Sequence, residues 1–361
     1  MYFKDLEESI HSALKFSSLY KKTFLITGAT GLIASYLIDL LFYANNNMDA
    51  GIVVYAVVRN QSYAEKRFQS ILSHPFFHLV IQDVCDPVVL QERVDYIIHT
   101  AGDGYPNAFR EHPVETMLPA VVGTFQLLEY MKKTKGTRFL YLSSGEIYGC
   151  VEPPEIIDTG KYVLNAKGIT ETISGYVDTM KSRSCYPSAK RAAETLCASY
   201  YAEYGLDTVV ARLSHVYGPY FSEKDNRASA QFFRDIISGR KVLLKSRGNQ
   251  LRSYTYVADC VSALLTILTC GTPGDAYNVS TPGATATIAE FAETVAEIGG
   301  GECFFEDSKA NSSERSPVTY AILNSEKLQT LGWTGYYSIA RGVRHTLEAL
   351  RIQPETCYSA K

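Results

Sequence analysis

Tyr186 and Lys190 stand four residues apart in Ser-Cys-Tyr-Pro-Ser-Ala-Lys, where a helical pattern begins that runs on through KRAAETLCASYYAEY. That spacing puts both side chains on one face about one turn apart, and Pro187 suits a first helical turn. A phenol of ordinary pKa about 10 is a poor base at neutral pH, but a neighbouring ammonium favours the phenolate, which can take a proton from a substrate hydroxyl. In a chain with 26 tyrosines such a pair also arises by chance. The strand RFLYLSS adds weight upstream, ending in Ser143-Ser144-Gly145-Glu146-Ile147-Tyr148-Gly149. Ser144 offers a hydroxyl to the reacting oxygen and Glu146 a second acid or base; for Ser144 the alternative is a cap on the following turn.

Groups so far apart in sequence need a scaffold that brings them to one edge. From residue 23 the chain alternates short apolar runs (TFLITGA, GIVVYAVV, HLVIQDV, DYIIHTA, RFLYLSS) with helical patterns (IASYLIDLLFYA, VVGTFQLLEYMKK). A parallel sheet buried on both faces requires this, so the expected fold is α/β, a Rossmann-type doubly wound parallel sheet, continuing to about residue 213. Beyond it the alternation becomes irregular, and a smaller α+β lobe is expected from AQFFRDIISG, KVLLKS, TIAEFAETVAEIGG and ARGVRHTLEALR. The division predicted is a cofactor domain of 20–213 plus 251–279, a substrate lobe of 214–250 plus 280–361, and an N-terminal helical extension, 1–19.

The first strand runs into Gly28-Ala29-Thr30-Gly31-Leu32-Ile33-Ala34 and then a helix. Gly28 allows a tight turn, Gly31 lets the backbone approach a pyrophosphate at the helix N-terminus, and Ala34 permits close helix–strand packing. With Thr30, Leu32 and Ile33 these residues are the expected phosphate cradle of a dinucleotide. The second strand ends in Arg59, where an acidic residue would accept from the ribose 2′-OH of NAD. A guanidinium there suits the 2′-phosphate of NADP, the alternative being a solvated arginine at a strand end. Asp83 and Val84 fall beside the adenine, and Thr100, Ala101 and Gly102 beside the nicotinamide. An oxidised nicotinamide would further favour the phenolate of Tyr186, and Lys190 would both lower its pKa and bind the nicotinamide ribose.

Composition sets bounds. With 35 Lys+Arg against 38 Asp+Glu, the net charge of −3 is too even for binding nucleic acid or an anionic membrane by bulk electrostatics, so an anionic ligand must be held locally. Eight scattered cysteines without a CxxC pair read as free thiols, with no metal site. The charged N-terminus (Lys4, Asp5, Glu7, Glu8) does not read as a secretory signal, and the best apolar run is cut by Asp39, so a cytoplasmic protein without a membrane span is expected.

Taken together, GATGLIA, SSGEIYG, YPSAK, ARLSHVYGP and RSYTYVAD resemble the extended short-chain dehydrogenase/reductase family, the nucleotide-sugar epimerases and dehydratases, over about residues 22 to 340. The resemblance implies Ser144, Tyr186 and Lys190 as catalytic triad, a nucleoside diphosphate sugar as substrate, Arg252 on its diphosphate, His215 and Arg227 as further substrate contacts, and a homodimer. The family's 4,6-dehydratases follow their hydroxyl residue with an Asp–Glu pair; here Gly145 replaces the Asp while Glu146 remains, as in UDP-glucuronate decarboxylases. Two departures stand out: Gly218-Pro219-Tyr220 where Gly-Pro-Arg is common, and Ala120 where an Asn precedes Gly123-Thr124. The expectation is C4 oxidation followed by decarboxylase or epimerase chemistry. The alternatives are an NADPH-dependent reductase of a nucleotide-linked keto sugar and, in another class, a non-catalytic dinucleotide sensor.

Overall fold

A computed structural model describes residues 2–136, 138–151, 168–244, 246–305 and 320–352. In chain order the elements are α1 (Tyr2–Ser12), β1 (Thr23–Thr27), α2 (Leu32–Met48), β2 (Val53–Val58), α3 (Gln61–Arg67), β3 (Phe77–Ile81), β4 (Tyr96–His99), α4 (Pro106–Glu111), α5 (Pro113–Leu118), α6 (Thr124–Thr134), β5 (Arg138–Ser144), α7 (Cys185–Tyr204), β6 (Thr208–Leu213), β7 (His215–Tyr217), α8 (Ala228–Ile237), β8 (Val242–Leu244), β9 (Leu251–Tyr256), α9 (Val257–Cys270), β10 (Asp275–Val279), β11 (Thr285–Thr287), α10 (Ile288–Gly299), β12 (Cys303–Phe305), β13 (Tyr320–Ala321), α11 (Glu326–Thr330) and α12 (Ile339–Ile352).

Seven of these strands form one sheet in the order β3-β2-β1-β4-β5-β6-β10, every pairing parallel. The order reverses between β1 and β4, and the crevice outside the strand ends at such a switch point is where folds of this kind place ligands. The sheet is dry on both faces. Phe24, Ile26, Leu140 and Leu142 pack with α2 and α9 on one side; Leu25, Ile97, Phe139 and Tyr141 meet α6 and α7 on the other. The unbroken β-branched runs follow from that double burial.

Leu251–Tyr256, read as part of the cofactor domain, pairs outside the main sheet: β9 is parallel to β7 and β13 and antiparallel to β11. All six of its residues are buried, so its composition matches a central strand although its neighbours belong to the second sheet. The segment that follows returns to the main sheet, α9 covering one face and β10 forming the edge beyond β6.

The N-terminal helix forms, and it is docked by more than apolar contact. Asp5 is buried, and its carboxylate accepts from Tyr256 Oη at 2.8 Å and Tyr337 Oη at 3.0 Å and pairs with His345 Nδ1 at 2.6 Å. A buried carboxylate needs such partners, and here they come from β9, the stretch before α12, and α12. No helix among the described residues is long and apolar enough to cross a membrane. The seven described cysteines are free thiols; the eighth, Cys357, lies outside the described residues.

Candidate active site

At the end of β1 the backbone turns through Gly28 at φ +61°, a conformation that costs an L-residue about 1–2 kcal/mol. A Cβ there would also stand 2.8 Å from Ala101 Cα. The turn therefore needs glycine twice over. The Gly31 amide donates to Gly28 O at 2.9 Å, and the first intrahelical bond of α2 runs from Ser35 N to Gly31 O at 2.8 Å. The amides of Leu32 and Ile33 thus precede the helical ladder and face the cleft mouth with the positive end of the helix. This cradle has what a dinucleotide diphosphate needs, backbone donors at a helix N-terminus.

Thr100 and Ala101 close the floor. Thr100 Oγ1 donates to Thr27 O at 2.6 Å, while Thr27 Oγ1 accepts from the Ala101 amide at 3.3 Å and lies 2.7 Å from His99 Nδ1. His99 Nε2 faces the Pro119 carbonyl at 3.0 Å. A carbonyl only accepts, so Nε2 carries the proton and Nδ1 takes one from Thr27; burial lowers this imidazole to about 3, keeping it neutral. Arg59 and Asp83, at the ends of β2 and β3, form an exposed ion pair at 4.0 Å, and Val84 packs where Gly123 leaves room for it. Ala120 is buried in a π-type turn spanning Pro119–Gly123.

Across the cleft, Ser144 ends β5 and caps the turn Gly145–Tyr148, its Oγ accepting from Glu146 N at 3.2 Å. The capping alternative holds without excluding the other role. Its oxygen serves the turn while its hydroxyl is a hydrogen-bond partner of Tyr186, favouring the phenolate. Burial, with Glu146 second, pushes the Tyr186 phenol up to about 12, against which Ser144, Arg227 and Arg183 pull it down. Lys190 stands beside the pair of tyrosines that line this side. It lies 5.7 Å from the Tyr186 ring centroid, over the π-face of Tyr141, and donates to Leu142 O at 2.7 Å. Burial lowers its own pKa to about 8. The helix that carries both residues is tied to the Glu146 turn by Arg191, which donates to Ile147 O at 2.6 Å and Gly175 O at 2.8 Å.

The expected substrate residues converge as well. His215 on β7 is held neutral, its pKa lowered to about 3 by burial, then by Arg227 and Arg252. Arg252 on β9 is buried and feels the Glu146 carboxylate. Arg227, at the start of α8, bonds Asp225 through Nε and a terminal nitrogen (2.6–3.0 Å), so its charge is largely balanced. Tyr220 points elsewhere: the Arg67 guanidinium lies 4.1 Å from its ring centroid and Tyr2 packs edge-on against it, so it holds α1 to α3.

Four residues that a reading of motifs passes over complete the site. Arg183 pairs with Glu146 at 3.0 Å, Phe109 stacks on Tyr186 with centroids 4.5 Å apart, Asp225 holds Arg227, and Leu323 walls off Gly145. A Cβ at Gly145 would be 3.2 Å from both Leu323 methyls. Only the sequence position of Arg183, three residues before Tyr186, gave a hint of any of them.

A switch-point cleft with a glycine-built diphosphate cradle on one side and Ser144, Tyr186 and Lys190 on the other defines an extended short-chain dehydrogenase/reductase. The chain belongs to the NAD dependent epimerase/dehydratase family, whose model matches residues 24–280. It is 29% identical to UDP-glucuronic acid decarboxylase 6 of Arabidopsis thaliana over 337 residues, 91% of this chain and 89% of that one. Its fold is similar to the dTDP-glucose 4,6-dehydratase of Streptomyces venezuelae solved with NAD bound (TM-score 0.76, 21% identity, 94% and 100% of the chains). It is also similar to the UDP-glucuronic acid 4-epimerase of Bacillus cereus in complex with UDP-glucuronic acid and NAD (TM-score 0.73, 20% identity, 91% and 99%).

Proposed function

We propose that the protein decarboxylates a uronic acid carried on a nucleoside diphosphate, UDP-glucuronate first among candidates, with 4-epimerisation of the same substrate as the nearest variant. The observation that carries this is the Gly145–Glu146 step. Gly145 provides no acid to expel a C6 hydroxyl, the Leu323 methyls stand 3.2 Å from where a Cβ at that position would lie, and Glu146 stays beside Tyr186. The similarity to UDP-glucuronic acid decarboxylases supports the same choice.

NAD, when bound, would supply a hydride acceptor for C4 in a reaction with no net redox change. Tyr186 takes the C4 hydroxyl proton, and Ser144 holds the oxygen that becomes the ketone. A C4 ketone makes the C5 carboxylate a β-keto acid: the C5–carboxyl bond breaks, CO2 leaves, and its electron pair passes into the enolate. A proton from water then returns to C5, with the Glu146 carboxylate the group at hand to relay it, and Tyr186 gives its proton back to the C4 oxygen. Gly28, Thr30, Gly31, Leu32 and Ile33 would hold the dinucleotide diphosphate, Thr100, Ala101 and Gly102 the nicotinamide side, Asp83 and Val84 the adenine, and Lys190 the ribose. His215, Arg227 and Arg252 would receive the sugar nucleotide.

The seven-stranded sheet is the cofactor lobe in this reading, and the second sheet with α8, α10 and α12 the substrate lobe. A homodimer is proposed through α5, α6 and α7, which pack together and leave Val114, Leu118, Phe125, Tyr201 and Tyr204 exposed. Arg59 favours the second reading, an NADPH-dependent reductase, because a guanidinium at the end of β2 can meet a 2′-phosphate.

The test is product mass after incubation with UDP-glucuronate and catalytic NAD. A loss of about 44 Da without net NAD turnover is expected, whereas a gain of about 2 Da at the expense of NADPH would favour the reductase. Unchanged mass with an inverted C4 centre would make it an epimerase. Product formation left intact by Tyr186→Phe would overturn Tyr186 as the base, and no conversion of any nucleotide sugar would leave the dinucleotide sensor.

A further inference from the structure

We infer that Arg183 is a positioning residue of the reaction centre, one that fixes Glu146 across the cleft and balances that carboxylate's charge over the reactive phenol; this rests on Tyr186 being the base, as proposed above. Arg183 lies in the turn Ser182–Ser184 immediately before α7. One of its terminal nitrogens bonds both carboxylate oxygens of Glu146, at 3.1 and 3.0 Å. Its guanidinium carbon sits 4.7 Å from the centroid of the Phe109 ring, and Phe109 is itself stacked on Tyr186 at an interplanar angle of 21°. Glu146, Arg183, Phe109 and Tyr186 therefore form one continuous stack from the β5 edge to the catalytic helix.

Stability is a poor explanation for this arrangement. The two charged side chains are 36% and 34% exposed, and such pairs contribute between zero and about 1 kcal/mol. The charges around the phenol give a better one. From the end of β5, Ser144 favours the phenolate and Glu146 opposes it; from the turn before α7, Arg183 favours it; from the start of α8, Arg227 favours it with its charge shared by Asp225. Lys190, on the same helix as Tyr186, is directed to Leu142 O, and Tyr141 below the site is neutral and buried. Glu146 is thus the negative charge that opposes proton removal by Tyr186, and Arg183 is the cation bonded to it. A Glu146 left unpaired would hold the phenol higher still; paired with Arg183, it can remain within reach of the sugar while opposing the base less.

The experiment compares Arg183→Gln, Arg183→Lys, Glu146→Gln and the double variant Arg183→Gln/Glu146→Gln in the full chain. Two properties are measured: the pH dependence of kcat/KM, and the ultraviolet phenolate titration of NAD-saturated protein with the matching Tyr186→Phe trace subtracted. The titration needs no turnover. Arg183→Gln is expected to move both midpoints to higher pH and to lower kcat/KM near neutrality roughly tenfold, the change one pH unit of midpoint brings. Arg183→Lys should recover most of the shift, and the double variant should return the midpoint toward the wild-type value, because the carboxylate that Arg183 offsets is gone. A wild-type midpoint in Arg183→Gln, or a double variant no closer to wild type than the single one, overturns the inference. If UDP-glucuronate is not converted, the proposed function fails while the phenolate titration still decides the role of Arg183.

Discussion

On the dinucleotide side of the cleft the working parts are main chain: a glycine at φ +61°, a second glycine capping α2, and the amides that begin that helix. On the sugar side they are side chains in contact, with Glu146, Arg183, Tyr186, His215, Arg227 and Arg252 delivered by β5, α7, β7, α8, β9 and the turn before α7. The first arrangement suits a diphosphate, in the proposed reading, by shape and oriented dipoles, and at Gly28 it leaves no room for a Cβ. The second sets a proton affinity through a balance of charges and tolerates change in degrees. A change in the cradle should therefore act nearly all or none, while a change in the charge cluster should act as a shift in pH.

The largest effect should come where the two sides meet. Tyr186→Phe is expected to lower turnover about 10²–10⁴-fold, the usual range for a lost acid–base group, with dinucleotide affinity within a few-fold of wild type by fluorescence titration; equal losses in both would blur the contrast between the sides. Next is a stability difference tied to Lys190. Its folded-state pKa is lowered from 10.5 to about 8 by burial, so the folded state resists protonation. The penalty is full below pH 8 and is relieved as pH rises through 8 toward 10.5. Unfolding free energy of the wild type, relative to Lys190→Met, should accordingly rise by about 3 kcal/mol across that window, measured by denaturant titration.

Gly28→Ala meets both the backbone strain and the 2.8 Å approach to Ala101. It should cost about 2 kcal/mol of stability and abolish measurable dinucleotide binding, whereas a mild affinity loss would show that the cradle yields. Gly145→Asp should lower the thermal midpoint by pressing on Leu323, and should produce no dehydrated product unless Leu323→Ala is added. The smallest effect is set for Arg59→Asp, exposed and paired only loosely with Asp83: a swing of about tenfold toward NAD over NADP, the 1–2 kcal/mol of a surface charge contact. No swing would mean that Arg59 is solvated.

The cradle could be read directly from GATGLIA, because each glycine answers a local backbone requirement and its neighbours in sequence are its neighbours in space. Tyr186 and Lys190 could be read as a pair for the same reason, being one helical turn apart. Their relation was not equally legible. Lys190 donates to a carbonyl of β5, and two further cations, Arg183 from the preceding turn and Arg227 from the start of α8, pull the phenol down. The sheet that Leu251–Tyr256 joins was hidden for a similar reason, since burial on all sides looks alike in sequence whichever sheet a strand joins.

From sequence alone follow the strand–helix alternation, the parallel sheet and the glycine turn after β1, consequences of local periodicity and of glycine at special backbone positions, while the grouping of Ser144, Tyr186 and Lys190 is what the family resemblance implies. The ion pair of Arg183 with Glu146, the Phe109 stack, the balancing of Arg227 by Asp225 and the Leu323 wall beside Gly145 depend on the tertiary structure. Each joins residues tens of positions apart or sets the direction of a side chain at a loop end, and no local rule constrains such meetings until the two layers of the sheet are packed.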